Sequence, residues 1–93
     1  MEKLVTIREQ LPLSERQYND RNGQPQVYAS VGFVLSDGID TFYAEMAGER
    51  ARALGTLDKD RAYRVQCVMK ERQYADREGV VRHATDIQLI NIG

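Results

Sequence analysis

Cysteine occurs once in the 93 residues, at Cys67, so no internal disulfide can form. His83 is the only histidine, which leaves no Cys/His set at zinc-ligand spacing and excludes a structural metal of that kind. No apolar run approaches the ~18–20 residues of a membrane-spanning helix, and Met1-Glu2-Lys3-Leu4-Val5 lacks the apolar centre of a secretory signal. The expected location is the cytoplasm. Glycine numbers only 7 and proline 2, while 42% of residues are hydrophobic and 29% charged, a balance unlike disordered or fibrous chains. Neither sign of charge dominates. With 13 Lys and Arg against 14 Asp and Glu, the net charge of −1 gives the whole chain no attraction for phosphate, so any nucleic-acid binding must come from local arrangement. Nor is there an enzyme's signature: His83 has no Ser or Cys nucleophile at recognisable spacing, and no paired-acid motif occurs. No cofactor motif stands out, and the length suits one domain spanning residues 1–93.

What the chain does contain is alternation. Val5 and Ile7 lie on one side with Lys3, Thr6 and Arg8 largely on the other, the pattern of a half-buried strand. Pro12 interrupts it, since proline cannot donate to a strand ladder, and predicts a bulge or an edge within one long bent strand ending near Tyr18. Asn19-Asp20-Arg21-Asn22-Gly23-Gln24-Pro25 then turns the chain. A second strand follows from Gln26, with Val27, Ala29, Val31, Phe33 and Leu35 on one face. After Ser36-Asp37-Gly38, a third strand spans Ile39 to Met46, with Phe42, Ala44 and Met46 opposite Thr41, Tyr43 and Glu45. Phe42 and Tyr43 are adjacent and point to opposite faces, so one is expected in the core and the other outside.

The period changes at Ala47–Leu54, which is rich in Ala, Arg and Glu and ends at Gly55, as a short helix would. A fourth strand covers Ala62–Arg72, with Tyr63, Val65, Cys67 and Met69 on one face. There Cys67 is expected as a small core residue rather than a reactive thiol. The last strand runs Val80–Ile92, with Val81, His83, Thr85, Ile87 and Leu89 aligned until Leu89-Ile90 breaks the alternation. This order predicts an all-β fold: a five-stranded OB-fold barrel with one short helix between strands 3 and 4, an architecture whose loops bind oligonucleotides or oligosaccharides.

One segment recurs. Glu15-Arg16-Gln17-Tyr18-Asn19-Asp20-Arg21-Asn22-Gly23 and Glu71-Arg72-Gln73-Tyr74-Ala75-Asp76-Arg77-Glu78-Gly79 are identical at seven of nine positions. In the OB order the copies fall at the two loops flanking the binding face. Each supplies an Arg, a Tyr able to stack on any base, and a second Arg near the tip. The same residues also make good turns and strands, so convergence of two ordinary hairpins stays open.

Three segments resemble the bacterial single-stranded DNA-binding protein family and, secondarily, its relative primosomal replication protein N. They are Arg16–Gly23, the junction Met46-Ala47-Gly48-Glu49-Arg50-Ala51, and the stretch Lys70–Ile87, which looks like the family's closing hairpin and is the most specific of the three. The resemblance covers most of the chain in order. It implies an OB-fold homo-oligomer that wraps single-stranded DNA through stacked aromatics and basic side chains. The long bent first and last strands leave exposed edges, which predict a homodimer or homotetramer, and the expected partner is single-stranded DNA, or RNA, in replication, recombination or repair. Tyr74 falls where the family keeps a stacking aromatic. Ala47 stands where the family often has a stacking Phe, tryptophan is absent, and the excursion between the second and third strands is only Ser36-Asp37-Gly38. The family's Gly/Pro-rich tail with its acidic tip is missing as well, so partner recruitment by that route is not expected.

The expected nucleic-acid contacts are therefore Tyr18, Tyr74 and Tyr43 for stacking, with Arg16, Arg21, Lys70, Arg72, Arg77 and Arg82 for phosphate. The competing expectation is an OB module for protein interaction or oligomerisation without nucleic-acid binding, because fold does not fix function. The charge balance keeps it in play. Residues 70–82 hold four basic side chains against three acidic ones.

Overall fold

A computed structural model describes Met1–Gly93. The alternating segments form six strands, β1 (Glu2–Gln10), β2 (Ser14–Asn19), β3 (Pro25–Ser36), β4 (Thr41–Ala47), β5 (Ala62–Ala75) and β6 (Val81–Ile92), with the helix α1 (Glu49–Leu54) between β4 and β5. The long first strand is thus two segments, and the helix follows the fourth strand rather than the third. Both segments nevertheless run along β3. Gln10 pairs with Phe33 and Ser14 with Ser30, so Leu11, Pro12 and Leu13 stand opposite Val31 and Gly32 as a bulge at the proline.

The sheet order β1-β5-β6-β4-β3-β2 gains a further β1–β3 pairing, which closes five of the strands into a ring. All junctions are antiparallel except β4–β6, a parallel contact made by one pair, Glu45 and Gln88. Inside the ring the faces read from the sequence pack together: Val5 and Ile7, Val31, Phe33 and Leu35, Ala44 and Met46, Tyr63, Val65 and Cys67 are all buried. Burial raises the Cys67 thiol pKa, as an apolar surrounding should. Phe42 is half-buried against this core while Tyr43 lies outside. α1, bounded by Gly48 (φ 83°) and Gly55 (φ 69°), is shorter than the Ala47–Leu54 expected and packs Ala51 and Leu54 against the core. Ile39, expected in β4, is 92% exposed, because Asp37 Oδ1 accepts from the Ile39 and Asp40 amides and holds both in a turn.

Two hairpins outgrow the ring. β5 continues past Arg72 to Ala75, paired with β6 down to Ala75–Val81, and β2 with the start of β3 forms a second arm. The radius of gyration, 15.4 Å, exceeds the ~12 Å expected of a compact chain this long, as projecting arms require. Alternation therefore misleads on burial in the arms. Val27, Met69, Val81, His83 and Thr85 lie on inward-type faces but are exposed, because nothing lies beneath them. The Leu89-Ile90 irregularity is a bulge: Cys67 pairs with Leu89 and Gln66 with Asn91, leaving Ile90 unpaired. No helix is long and apolar enough to cross a membrane.

Candidate nucleic-acid interface

The repeated sequence builds the same turn twice. In the first arm the Gly23 amide donates to the Asp20 carbonyl at 3.0 Å, and Asp20 Oδ1 accepts from the Asn22 and Gln24 amides at 2.9 Å. In the second, Gly79 donates to the Asp76 carbonyl at 3.0 Å, and Asp76 Oδ1 accepts from Glu78 at 2.9 Å and Val80 at 3.0 Å. Gly23 and Gly79 have φ of 75° and 78°, which L side chains rarely adopt. Turn formation thus explains the shared Asp and Gly. It does not explain the shared Arg and Tyr.

Strand register places those on one surface. Arg16 and Tyr18 face outward opposite Tyr28 and Gln26. Tyr28 continues along β3 through Ser30, Gly32 and Val34, which pair with Ala47, Glu45 and Tyr43 of β4. Glu45 pairs with Gln88, and the same face of β6 carries Asp86, Ala84 and Arg82 opposite Lys70, Arg72 and Tyr74 of β5. One outward face therefore runs from arm to arm. A groove of about 990 Å³ lies across it, lined by Arg16, Tyr43, Glu45, Arg72, Thr85, Asp86, Ile87 and Gln88. Arg16 and Arg72, equivalent positions of the repeat on β2 and β5, both line this groove.

The aromatics of the outward face are accessible: Tyr18 is 50%, Tyr43 49%, Tyr74 45% and Tyr28 38% exposed, and Tyr43 lines the groove itself. The Tyr43 ring lies over Gly32, where any Cβ would come within 2.2 Å of its hydroxyl oxygen, so this glycine is what lets the ring lie flat on the strand. Burial, then the neighbouring Glu45 carboxylate, raises the Tyr43 pKa. Tyr28 carries the Arg16 guanidinium 5.6 Å from its ring centroid, and Tyr74 carries that of Arg72 at 5.5 Å. Sequence reasoning missed Tyr28. The signal was present, because a hairpin turning at Asn19–Pro25 sets Tyr28 across from Arg16.

The cations divide into two groups. Arg72 Nε donates to Asp86 at 2.7 Å, which raises the Arg72 pKa, and Arg82 Nε donates to Asp76 at 3.0 Å. That bond, with the Val80 and Glu78 amides, lowers the Asp76 pKa. Arg16, Arg21, Lys70 and Arg77 have no carboxylate within salt-bridge distance. Glu45 sits on the groove floor, near the Tyr28 and Tyr43 hydroxyls at 3.4 and 3.5 Å. His83 lies on the opposite face of its arm, hydrogen-bonded to Glu71. No protein-family model matches the chain, and no curated protein matches it.

Proposed function

We propose that the chain is an OB-fold domain that binds single-stranded DNA along the face between its two arms, stacking bases on Tyr18, Tyr28, Tyr43 and Tyr74. The observation that carries the reading is that Arg16 and Arg72 line one groove, each with a tyrosine ring beneath its guanidinium. Turn chemistry alone gives no reason for two arms to aim the same Arg and Tyr at a shared surface. With β1 and β2 taken as one strand bent at Pro12, the ring β1-β5-β6-β4-β3 and its parallel β4–β6 contact support the OB-fold assignment. Stacking at ~1–3 kcal/mol per base compensates for the weak net charge.

Free strand edges support assembly into a homodimer or homotetramer, since β2 pairs only with β3 and the outer half of β5 only with β6. Sedimentation at high micromolar concentration checks that point, and a monomer would overturn it. Fluorescence anisotropy with labelled oligo-dT at low and physiological salt tests the main reading. Binding that weakens as salt rises is expected. No binding at tens of micromolar would overturn it in favour of a protein-interaction module, the reading that the groove carboxylates Glu45 and Asp86 would then suit.

A further inference from the structure

The two groups of cations, together with the two groove carboxylates, define how a strand would have to lie. Unpaired positive charge sits toward the arms and their tips, at Arg21, Arg77 and Lys70, and at Arg16 on the groove wall, while within the groove Asp86 is taken up by Arg72 and Glu45 has no cation within salt-bridge distance. A phosphate on the groove floor would meet two carboxylates and no unpaired guanidinium beyond Arg16. The sugar-phosphate chain is thereby kept to the arms, and the bases are turned inward onto Tyr43. Beside Tyr43 the polar groups of the groove are the Glu45 carboxylate, the Gln88 amide, Thr85, Arg16 and the Arg72–Asp86 pair, and of the two carboxylates only Glu45 is free of a cation.

A carboxylate is acceptor-only and has about four lone-pair positions. The hydroxyls of Tyr28 and Tyr43 approach Glu45 at 3.4 and 3.5 Å, too long to occupy it fully. Glu45 also lines an adjoining recess of about 320 Å³ with Tyr28, Ala47, Arg50 and Gln88. There is room beside it for the edge of a base. A carboxylate accepts from the exocyclic amino group of cytosine, adenine or guanine, whereas thymine's single donor, N3–H, is flanked by two carbonyl oxygens that a carboxylate repels.

Resting on the single-strand reading above, we propose that Glu45 is a specificity-determining residue and that the groove prefers amino-bearing bases, cytosine foremost, over thymine. The test compares labelled oligo-dC and oligo-dT of equal length by anisotropy near neutral pH. The wild-type chain should favour oligo-dC by about tenfold, the size of a carboxylate–amine contact. Glu45→Gln should bring that ratio close to one, because an amide can also donate to the thymine carbonyl, with circular dichroism confirming the fold. Asp86→Asn provides a control in the same groove: releasing Arg72 should tighten both oligonucleotides alike and leave the ratio unchanged. Equal affinity of the wild type for oligo-dC and oligo-dT, or a ratio unmoved by Glu45→Gln, would overturn the role of Glu45 while leaving single-strand binding intact. Failure of both oligonucleotides to bind would overturn the two readings together.

Discussion

The two arms begin from nearly the same words and end in different electrostatic states. In both, the repeated Asp gathers two amides with Oδ1 and the glycine takes positive φ, so the backbone is copied. What differs comes from the strand outside the repeat. Asp20 Oδ2 meets Gln26 Nε2 at 3.3 Å, whereas Asp76 Oδ2 meets the cation Arg82 at 3.0 Å. Likewise Arg16 leans across its hairpin onto Tyr28, while Arg72 is drawn to Asp86 on β6. A repeated segment thus fixes its turn by itself, but the charge it presents is set by its cross-strand neighbours. The first arm offers unpaired guanidinium groups and the second offers mostly neutralised ones.

The sharpest way to break this comparison is to remove the rings that the arms share. Tyr74→Ala and Tyr18→Ala should each weaken oligonucleotide binding by ~1–3 kcal/mol with the thermal melt unchanged, since both rings are about half exposed. If Tyr74→Ala unfolds the chain and binding per folded molecule is unaltered, the second ring is structural and the arms are not equivalent. The copied backbone makes a prediction of equal cost. Gly23→Ala and Gly79→Ala each force a Cβ into the left-handed region, at roughly 1–2 kcal/mol. Hydrogen exchange should show each loss confined to its own arm; a global loss would mean that the arms fold as one with the ring. The smallest effect should separate the arms. Arg16→Ala should lower the slope of log affinity against log salt by ~0.7, as losing one phosphate contact does. Arg72→Ala should change the slope less, because its guanidinium is already held by Asp86. Equal slopes would show that the ligand displaces Asp86.

The sequence made much of the ring legible, and the reasons are local. Ala29, Val31, Phe33 and Leu35 alternate without interruption and are all buried, because a period of two reports the side of a strand faithfully. Gly55 and the Asp-Gly turns were equally plain. The same rule fails at Met69 and Val81, which occupy the inward-type side of strands that have run past the ring. Periodicity tells which way a side chain points, and only the partner's length tells whether anything is there to cover it. In the candidate site, Tyr18, Tyr43 and Tyr74 were visible as aromatics in suitable places. The engagement of Arg72 and Arg82 by Asp86 and Asp76 was not, since it depends on pairing across β5 and β6. Glu45 was read only as an outward strand residue, because its place on the groove floor follows from the β4–β6 contact that closes the ring.

That closure is a seam of one rung. Every other junction of the ring is zipped by four or more residue pairs, as between β1 and β3, whereas β4 and β6 share only Glu45 and Gln88. Parting the shell there breaks the least backbone pairing of any route into the interior, and it splits the floor of the groove along the same line. A strand lying across the seam would act as a suture, holding the shell closed for as long as it stays bound.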